Sequence, residues 1–141
     1  INKKERKIAF ESALAATSSI KYLKKRYSEI KDLSLPLIIE SKVLELKTKL
    51  FFEFLKKILS ENFERALQKK SIRAGKGKSR DRKYKKTAGL LLVIGNKENF
   101  KIKGIDVVKV NQLSVKDLWP LGRLTVYTED AINEIKERWG R

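Results

Sequence analysis

The run Gly89-Leu90-Leu91-Leu92-Val93-Ile94-Gly95 constrains this chain more than any other stretch. Its large aliphatic residues follow one another without a polar interruption, so a strand built from them has no side to turn to water. Such a strand belongs inside a parallel sheet that is covered on both faces, and the rest of the chain must supply the neighbouring strands and the cover. Three further segments read as strands. Ile105-Asp106-Val107-Val108-Lys109-Val110 is one, and Leu124-Thr125-Val126-Tyr127, entered through Gly122-Arg123, is another. The third, Leu35-Pro36-Leu37-Ile38-Ile39, is closed by Glu40 and has its proline near the start, where a strand tolerates one.

The cover is helical. Asn2 with Glu5 is a capping-box spacing that opens a first helix, whose inward face is read as Ala9, Ala13, Ala16 and Ile20, flanked by Ile8 and Leu14. Thr17-Ser18-Ser19 is a weak point where a new cap can start, after which Ile20, Leu23, Tyr27 and Ile30 continue the stripe. Leu46, Leu50, Phe54 and Ile58, widened by Phe51 and Leu55, predict an amphipathic helix of three to four turns. Ser60 is placed to cap a following helix through Phe63, Ala66 and Leu67. Ser114 with Asp117 caps a short helix ended by Pro120. Thr128 caps the last one, which Glu129 and Asp130 favour at its positive end, Ile132, Ile135 and Trp139 face inward, and Gly140 terminates. Strands alternating with helices predict an α/β fold: a mostly parallel four-stranded sheet with helices on its faces, Rossmann-like but without a nucleotide site. About ten residues separate Ile94 from Ile105, too few for a full crossover helix, so an abbreviated turn or a single helical turn is expected there. Residues 1–141 read as one globular domain.

One segment does not fit the sheet. Ten basic residues fall within positions 69–86: Lys69, Lys70, Arg73, Lys76, Lys78, Arg80, Arg82, Lys83, Lys85 and Lys86. Asp81 is the single acid among them, and Ile72 and Tyr84 are the only large apolar residues. With no apolar face to bury, the segment reads as a basic loop, mobile alone and ordered on a partner. Gly75 and Gly77 separate its charges and allow the backbone to bend and approach that partner closely. The excess charge continues elsewhere, in Lys3, Lys4, Arg6 and Lys7 and in Lys21, Lys24, Lys25 and Arg26, and the net charge is +17 over 141 residues. A charge so far from zero opposes compaction unless a polyanion neutralises it, and nucleic acid is the polyanion of choice. A solvated, charged linker is the bland alternative.

Catalysis is disfavoured. Neither His nor Cys is present, which removes the usual transition-metal ligands, nucleophile and acid–base pairs. Gly77-Lys78-Ser79 mimics the end of a phosphate-binding loop, but Ile72 stands where that motif needs glycine, and the strand and helix fall on the wrong sides. The carboxylates Glu98, Asp106, Asp117, Glu129 and Asp130 read as caps or solubilising charges. No cofactor, metal, membrane or small-molecule substrate is implied. No apolar run reaches the length of a membrane span. The chain starts at Ile1 and contains no Met, so it is expected to be a segment of something longer.

Several segments resemble one family. Ile72-Arg73-Ala74-Gly75-Lys76-Gly77-Lys78, followed by Arg80, Arg82-Lys83 and Tyr84, resembles the basic segment of the ribosomal protein L four family in its archaeal and eukaryotic form. Ile1 to Lys7 with Ala13 to Thr17, Leu35-Pro36-Leu37, Lys47-Thr48-Lys49, Gly104 to Val108 and Gly122 to Glu129 are similar to further segments of that family, in the same order. Ser79 stands in place of the family's Met, Asp81 interrupts the basic run, and Trp119-Pro120-Leu121-Gly122 is shorter than the corresponding connection. The family's N-terminal portion and extended tunnel loop precede the matched segments, so lining of the peptide tunnel is not expected of this chain. The resemblance implies a cytoplasmic, non-catalytic constituent of the large ribosomal subunit that binds and organises ribosomal RNA beside neighbouring ribosomal proteins. Segment 69–87 would carry the contacts: Arg73, Lys76, Lys78, Arg80, Arg82, Lys83, Lys85 and Lys86 on phosphates, and Gly75 and Gly77 at close approach. Tyr84 either stacks on a base or packs the base of the loop. Lys3, Lys4, Arg6, Lys7 and Arg123 are further candidates. The same basic surface would also serve a standalone RNA-binding regulator outside the ribosome.

Overall fold

The computed structural model describes residues 2–27, 30 and 33–139. Four strands form a parallel sheet in the order β1 (Leu37–Ile39), β6 (Thr125–Thr128), β4 (Leu91–Ile94), β5 (Asp106–Lys109). The expected class is therefore observed, and the aliphatic run lies where its composition requires. β4 pairs on both sides, Leu92 opposite Val107 on one and Val126 on the other. Successive side chains of a strand point to opposite faces, so β4 feeds two cores. Leu92 and Ile94 join Val126, Ile39, Phe51, Leu55 and Leu59 on one face. Leu91 and Val93 join Tyr127, Phe10, Leu118, Ala131 and Ile135 on the other. Val107 is only partly buried, because β5 is an edge strand.

The second face is covered by α1 (Lys3–Thr17), α5 (Val115–Leu118) and α6 (Glu129–Trp139). Asn2 caps α1 by accepting from the Lys4 amide at 3.0 Å; among the described residues Glu5 does not complete a capping box. The buried face is Phe10, Ala13, Ala16 and Thr17, while Ala9 and Ile8 face water and Ile20 is exposed. Ala13 and Ala16 thus lie inward as expected and the stripe departs at its ends, where Phe10 offers more apolar area than Ala9 and takes the inward position against Trp139, 4.7 Å between ring centroids. The chain breaks at Ser18 and restarts from Ser19 as α2 (Ile20–Arg26), with Leu23 fully buried. Ser114 and Asp117 form the predicted capping box of α5. Thr128 caps α6 by accepting from the Ala131 amide at 3.2 Å, and its hydroxyl donates to Glu98 at 2.7 Å. Gly140, expected to end α6, lies outside the described residues.

On the first face, α3 (Thr48–Leu59) buries Phe51 and Leu55, which were expected to widen the stripe, together with Leu59, and not the expected central row Leu46-Leu50-Phe54-Ile58. Leu46 and Leu50 are exposed, and Phe54 and Ile58 flank the buried row. The two rows are adjacent on one wide apolar face, and only the sheet decides which is central. Ser60 does not cap the next helix; it ends α3 with φ 45° and leads through a short 3-10 turn into α4 (Phe63–Ala66). The short crossover from β4 to β5 contains no helix, and its Phe100 packs on Phe51, 4.9 Å between centroids.

A buried phenol links the second face to β6. Thr17 donates its hydroxyl proton to the Leu14 carbonyl at 2.7 Å and accepts from Tyr127 at 2.8 Å. Burial pushes Tyr127 from 10.0 up to about 12. Below pH 10 the phenol is neutral both folded and unfolded; as pH rises from there to about 12, only the unfolded chain ionises it. Stability therefore falls across that window, by up to roughly 2–3 kcal/mol at ~1.4 kcal/mol per unit. Tyr127→Phe should cost about 1 kcal/mol at neutral pH for the lost hydrogen bond and flatten this decline, as read from denaturant melts between pH 9 and 12. A decline as steep as that of the parent would reject the assignment.

Candidate nucleic-acid interface

The basic segment is a hairpin rather than an irregular loop. β2 (Lys70–Ile72) and β3 (Tyr84–Lys86) pair antiparallel, with Lys70 opposite Lys86, Ser71 opposite Lys85 and Ile72 opposite Tyr84. The Arg73 amide extends the ladder to the Lys83 carbonyl at 2.9 Å, and the Thr87 amide to that of Lys69 at 3.1 Å. A ribbon of this kind satisfies its backbone locally and needs no buried face, which is why apolar periodicity gave no sign of it. Residues Gly75–Arg80 form a 3-10 turn at its tip, and Asp81 returns the chain with φ 57°. Of the two tip glycines, only Gly75 has a positive φ, 77°. Gly77 has none, and a Cβ there would meet nothing nearer than Arg73 Cδ at 3.6 Å. The expectation that both glycines serve backbone bending is corrected to Gly75 alone.

The ribbon has two chemically different faces. Lys70, Ile72, Tyr84 and Lys86 share one, since side chains alternate. Lys70 Nζ sits 3.7 Å above the Tyr84 ring and Lys83 Nζ 5.7 Å from it. Tyr84 is 47% exposed and Ile72 55%, so Tyr84 does not pack into the domain. It stands as a ring flanked by cations beside a free aliphatic side chain. Arg73, Lys76, Lys78, Arg80, Arg82, Lys83, Lys85 and Lys86 are all exposed. None of them takes part in an ion pair among the described residues, although Asp81 is within the same hairpin. Lys70 directly opposite Lys86 is a like-charge pair that costs stability in an isolated ribbon.

The root of the hairpin is tied to the sheet by side-chain hydrogen bonds and close backbone packing. Gln68 donates to the Asp106 carboxylate at 2.6 Å and to the Ala88 carbonyl at 3.3 Å. Gly89 passes so close to Gln68 and the Ala66 carbonyl that a Cβ would lie within 2.9 Å of both. Arg123, read from the sequence as an RNA contact, belongs to this root and not to the surface. It is 4% exposed and donates to the carbonyls of Ala88, Gly89 and Asp117 at 2.6, 3.1 and 2.8 Å, and to Asp106. Four of its five N–H donors are used in this way. Asp106, read as a cap or a solubilising charge, is thereby the link between β5, the hairpin and Arg123. Sequence reasoning missed this group because Gln68, Asp106 and Arg123 lie far apart along the chain and carry no shared motif.

Lys3, Arg6 and Lys7 are not brought to the hairpin site. They line a separate groove of about 500 Å3 with Phe10, Arg138 and Trp139, and Lys7 pairs with Glu11 at 3.6 Å. Lys4 is exposed on α1. No group of three or more acidic side chains among the described residues is placed to hold a metal ion, and no helix is long and apolar enough to cross a membrane.

Residues 1–138 match the Ribosomal protein L4/L1 family. The chain is 42% identical to the large ribosomal subunit protein uL4 of Methanocaldococcus jannaschii, across 99% of its own length and 59% of the relative's. It is 41% identical to uL4 of Thermoplasma acidophilum, with 97% and 58% covered, and 39% identical to uL4 of Haloquadratum walsbyi, with 98% and 59% covered. The chain thus spans about three fifths of the length of these relatives. A match that runs from end to end of the sheet, the helices and the basic hairpin, at about two identical residues in five, makes this chain a member of the ribosomal protein L4/L1 family.

Proposed function

We propose that this chain works as a single, non-catalytic unit that binds and organises ribosomal RNA in the cytoplasmic large ribosomal subunit, next to other ribosomal proteins, through the hairpin at 69–87. One observation carries the reading: a ribbon of ten cations holds no ion pair among the described residues and sets Lys70 against Lys86. A polyanion removes that repulsion, and RNA supplies both regularly spaced phosphates and unpaired bases. Arg73, Arg80 and Arg82 offer forked donors to phosphate oxygens, and the lysines act as point charges. The Ile72–Tyr84 face offers a ring on which a base stacks. Lys3, Lys4, Arg6 and Lys7 supply further charge from α1. Arg123 and Gln68 act indirectly, by fixing the angle at which the hairpin leaves the sheet. A polypeptide with this surface needs no bound cofactor or small substrate for such a role.

The test separates charge from shape. Replacing Arg73, Lys76 and Lys78 together by Gln should make the slope of log affinity against log salt shallower by roughly two to three units, at about 0.7–0.9 per phosphate. Gly75→Val keeps every charge but opposes the positive φ at the tip. It should lower affinity for large-subunit ribosomal RNA at an unchanged salt slope. Gly77→Ala fits the free hairpin without clash, so a loss of affinity there reports close approach of the RNA backbone. A parent chain that binds random-sequence duplex as tightly as large-subunit RNA, with both glycine changes silent, would return the hairpin to a nonspecific charged arm outside the ribosome.

A further inference from the structure

We propose that the free edge of β5 docks an extended segment of a partner protein that carries apolar and acidic residues on one side and binds as an added strand. The site lies outside the hairpin and rests on no part of the RNA reading. β5 pairs with β4 alone. The Asp106 and Val110 amides donate to the Leu90 and Ile94 carbonyls of β4. By the alternation of a parallel ladder, Val107 and Lys109 therefore turn their amides away from the sheet. Among the described residues neither of these two amides has a partner, nor does the Val107 carbonyl. The Lys109 carbonyl accepts from the Gln112 and Leu113 amides, which closes the edge at that end. A crossover between parallel strands usually carries a helix that covers the sheet. Residues 95–105 cross without one and leave a groove of about 750 Å3 beside β5.

The lining of the groove selects the occupant. Ile94, Phe100, Ile102, Ile105 and Val107 give it an apolar floor, Lys101 and Lys109 add charge, and no acid lines it. Lys101 is exposed, and Lys109 Nζ is held in place by the Asn96 carbonyl at 3.1 Å and Asn99 at 2.8 Å. A second copy of this chain would bring like charge to the groove, with a net +17 on each partner. A nucleic acid would meet the two lysines but has no row of amides and carbonyls to match the edge, and it would leave the apolar floor uncovered. An extended polypeptide meets all three features. Its main chain pairs with Val107 and Lys109, and every second side chain faces the groove, an apolar one on the floor and a carboxylate beside the lysines.

The probe is an end-blocked octapeptide, Val-Thr-Glu-Thr-Val-Thr-Glu-Thr, which as a strand turns valine and glutamate to one side. Amide exchange followed by NMR on the whole chain reads the site directly. The Val107 and Lys109 amides should exchange freely in the chain alone and slow by roughly tenfold or more at saturating peptide. The N-methylated peptide keeps the side chains and charge but lacks main-chain donors. It should bind about fivefold or more weakly and protect neither amide. Lys101→Glu, at an exposed position, should weaken the peptide about two- to tenfold and favour a counterpart with lysine in place of glutamate. Slow exchange at both amides before peptide is added, no further protection with it, or equal protection by the N-methylated form overturns the proposal. So does an affinity that Lys101→Glu leaves unchanged. Protection of the two amides by decauridylate and not by the peptide also overturns it, in favour of a nucleic-acid face.

Discussion

Leu92→Asp is expected to abolish cooperative folding. Leu92 is fully buried in the central strand, packed among Ile94, Val126 and the inward row of α3. The change removes about 2–3 kcal/mol of apolar burial and places a carboxylate where no partner is available. The combined loss, about 5 kcal/mol or more, is comparable to the whole stability of a typical domain, roughly 5–15 kcal/mol. Circular dichroism during heating should show no sigmoidal transition, or one displaced by well over 10 °C. Ile38→Asp is the control. Ile38 is half exposed on the edge strand β1, between buried neighbours, so the same chemical change should cost no more than about 1 kcal/mol. Equal effects at the two positions would mean that β4 is not the centre of the sheet.

Arg123→Ala should destabilise the chain by about 3 kcal/mol, which amounts to a melting temperature lower by roughly 10 °C. The origin is not the ion pair itself, since the Asp106 side chain is 46% exposed and water would solvate it after the change. The cost lies in three carbonyls, on Ala88, Gly89 and Asp117, that lose their donor at a site from which water is largely excluded. Arg123→Lys should recover only part of the loss, because an ammonium group cannot fork to three acceptors in different directions. The informative measurement is RNA affinity of the Lys variant over a salt series. A buried clamp predicts an unchanged salt slope, whereas a phosphate contact would predict weaker bidentate binding at full parental stability. The second result would restore Arg123 to the surface.

The two positions mark where sequence patterns end. The uninterrupted run Leu90–Ile94 fixes a doubly covered strand, because no other arrangement removes that much aliphatic surface from water. Caps were equally legible at Ser114 with Asp117 and at Thr128, since capping uses residues three positions apart whatever surrounds them. The charge excess and its concentration in 69–86 follow from composition alone, and with them the expectation of an anionic partner. Tertiary structure decided the rest. It chose Phe10 over Ala9 and Phe51-Leu55-Leu59 over the neighbouring row, because an apolar face broad enough for two registers is resolved only by the surface it meets. It folded the basic segment into a ribbon, which required pairing between residues that no local periodicity connects. It also took Arg123 out of the set of surface cations. A guanidinium has the same charge whether it faces water or three carbonyls, and only the arrival of Ala88, Gly89, Asp106 and Asp117 around it determines which.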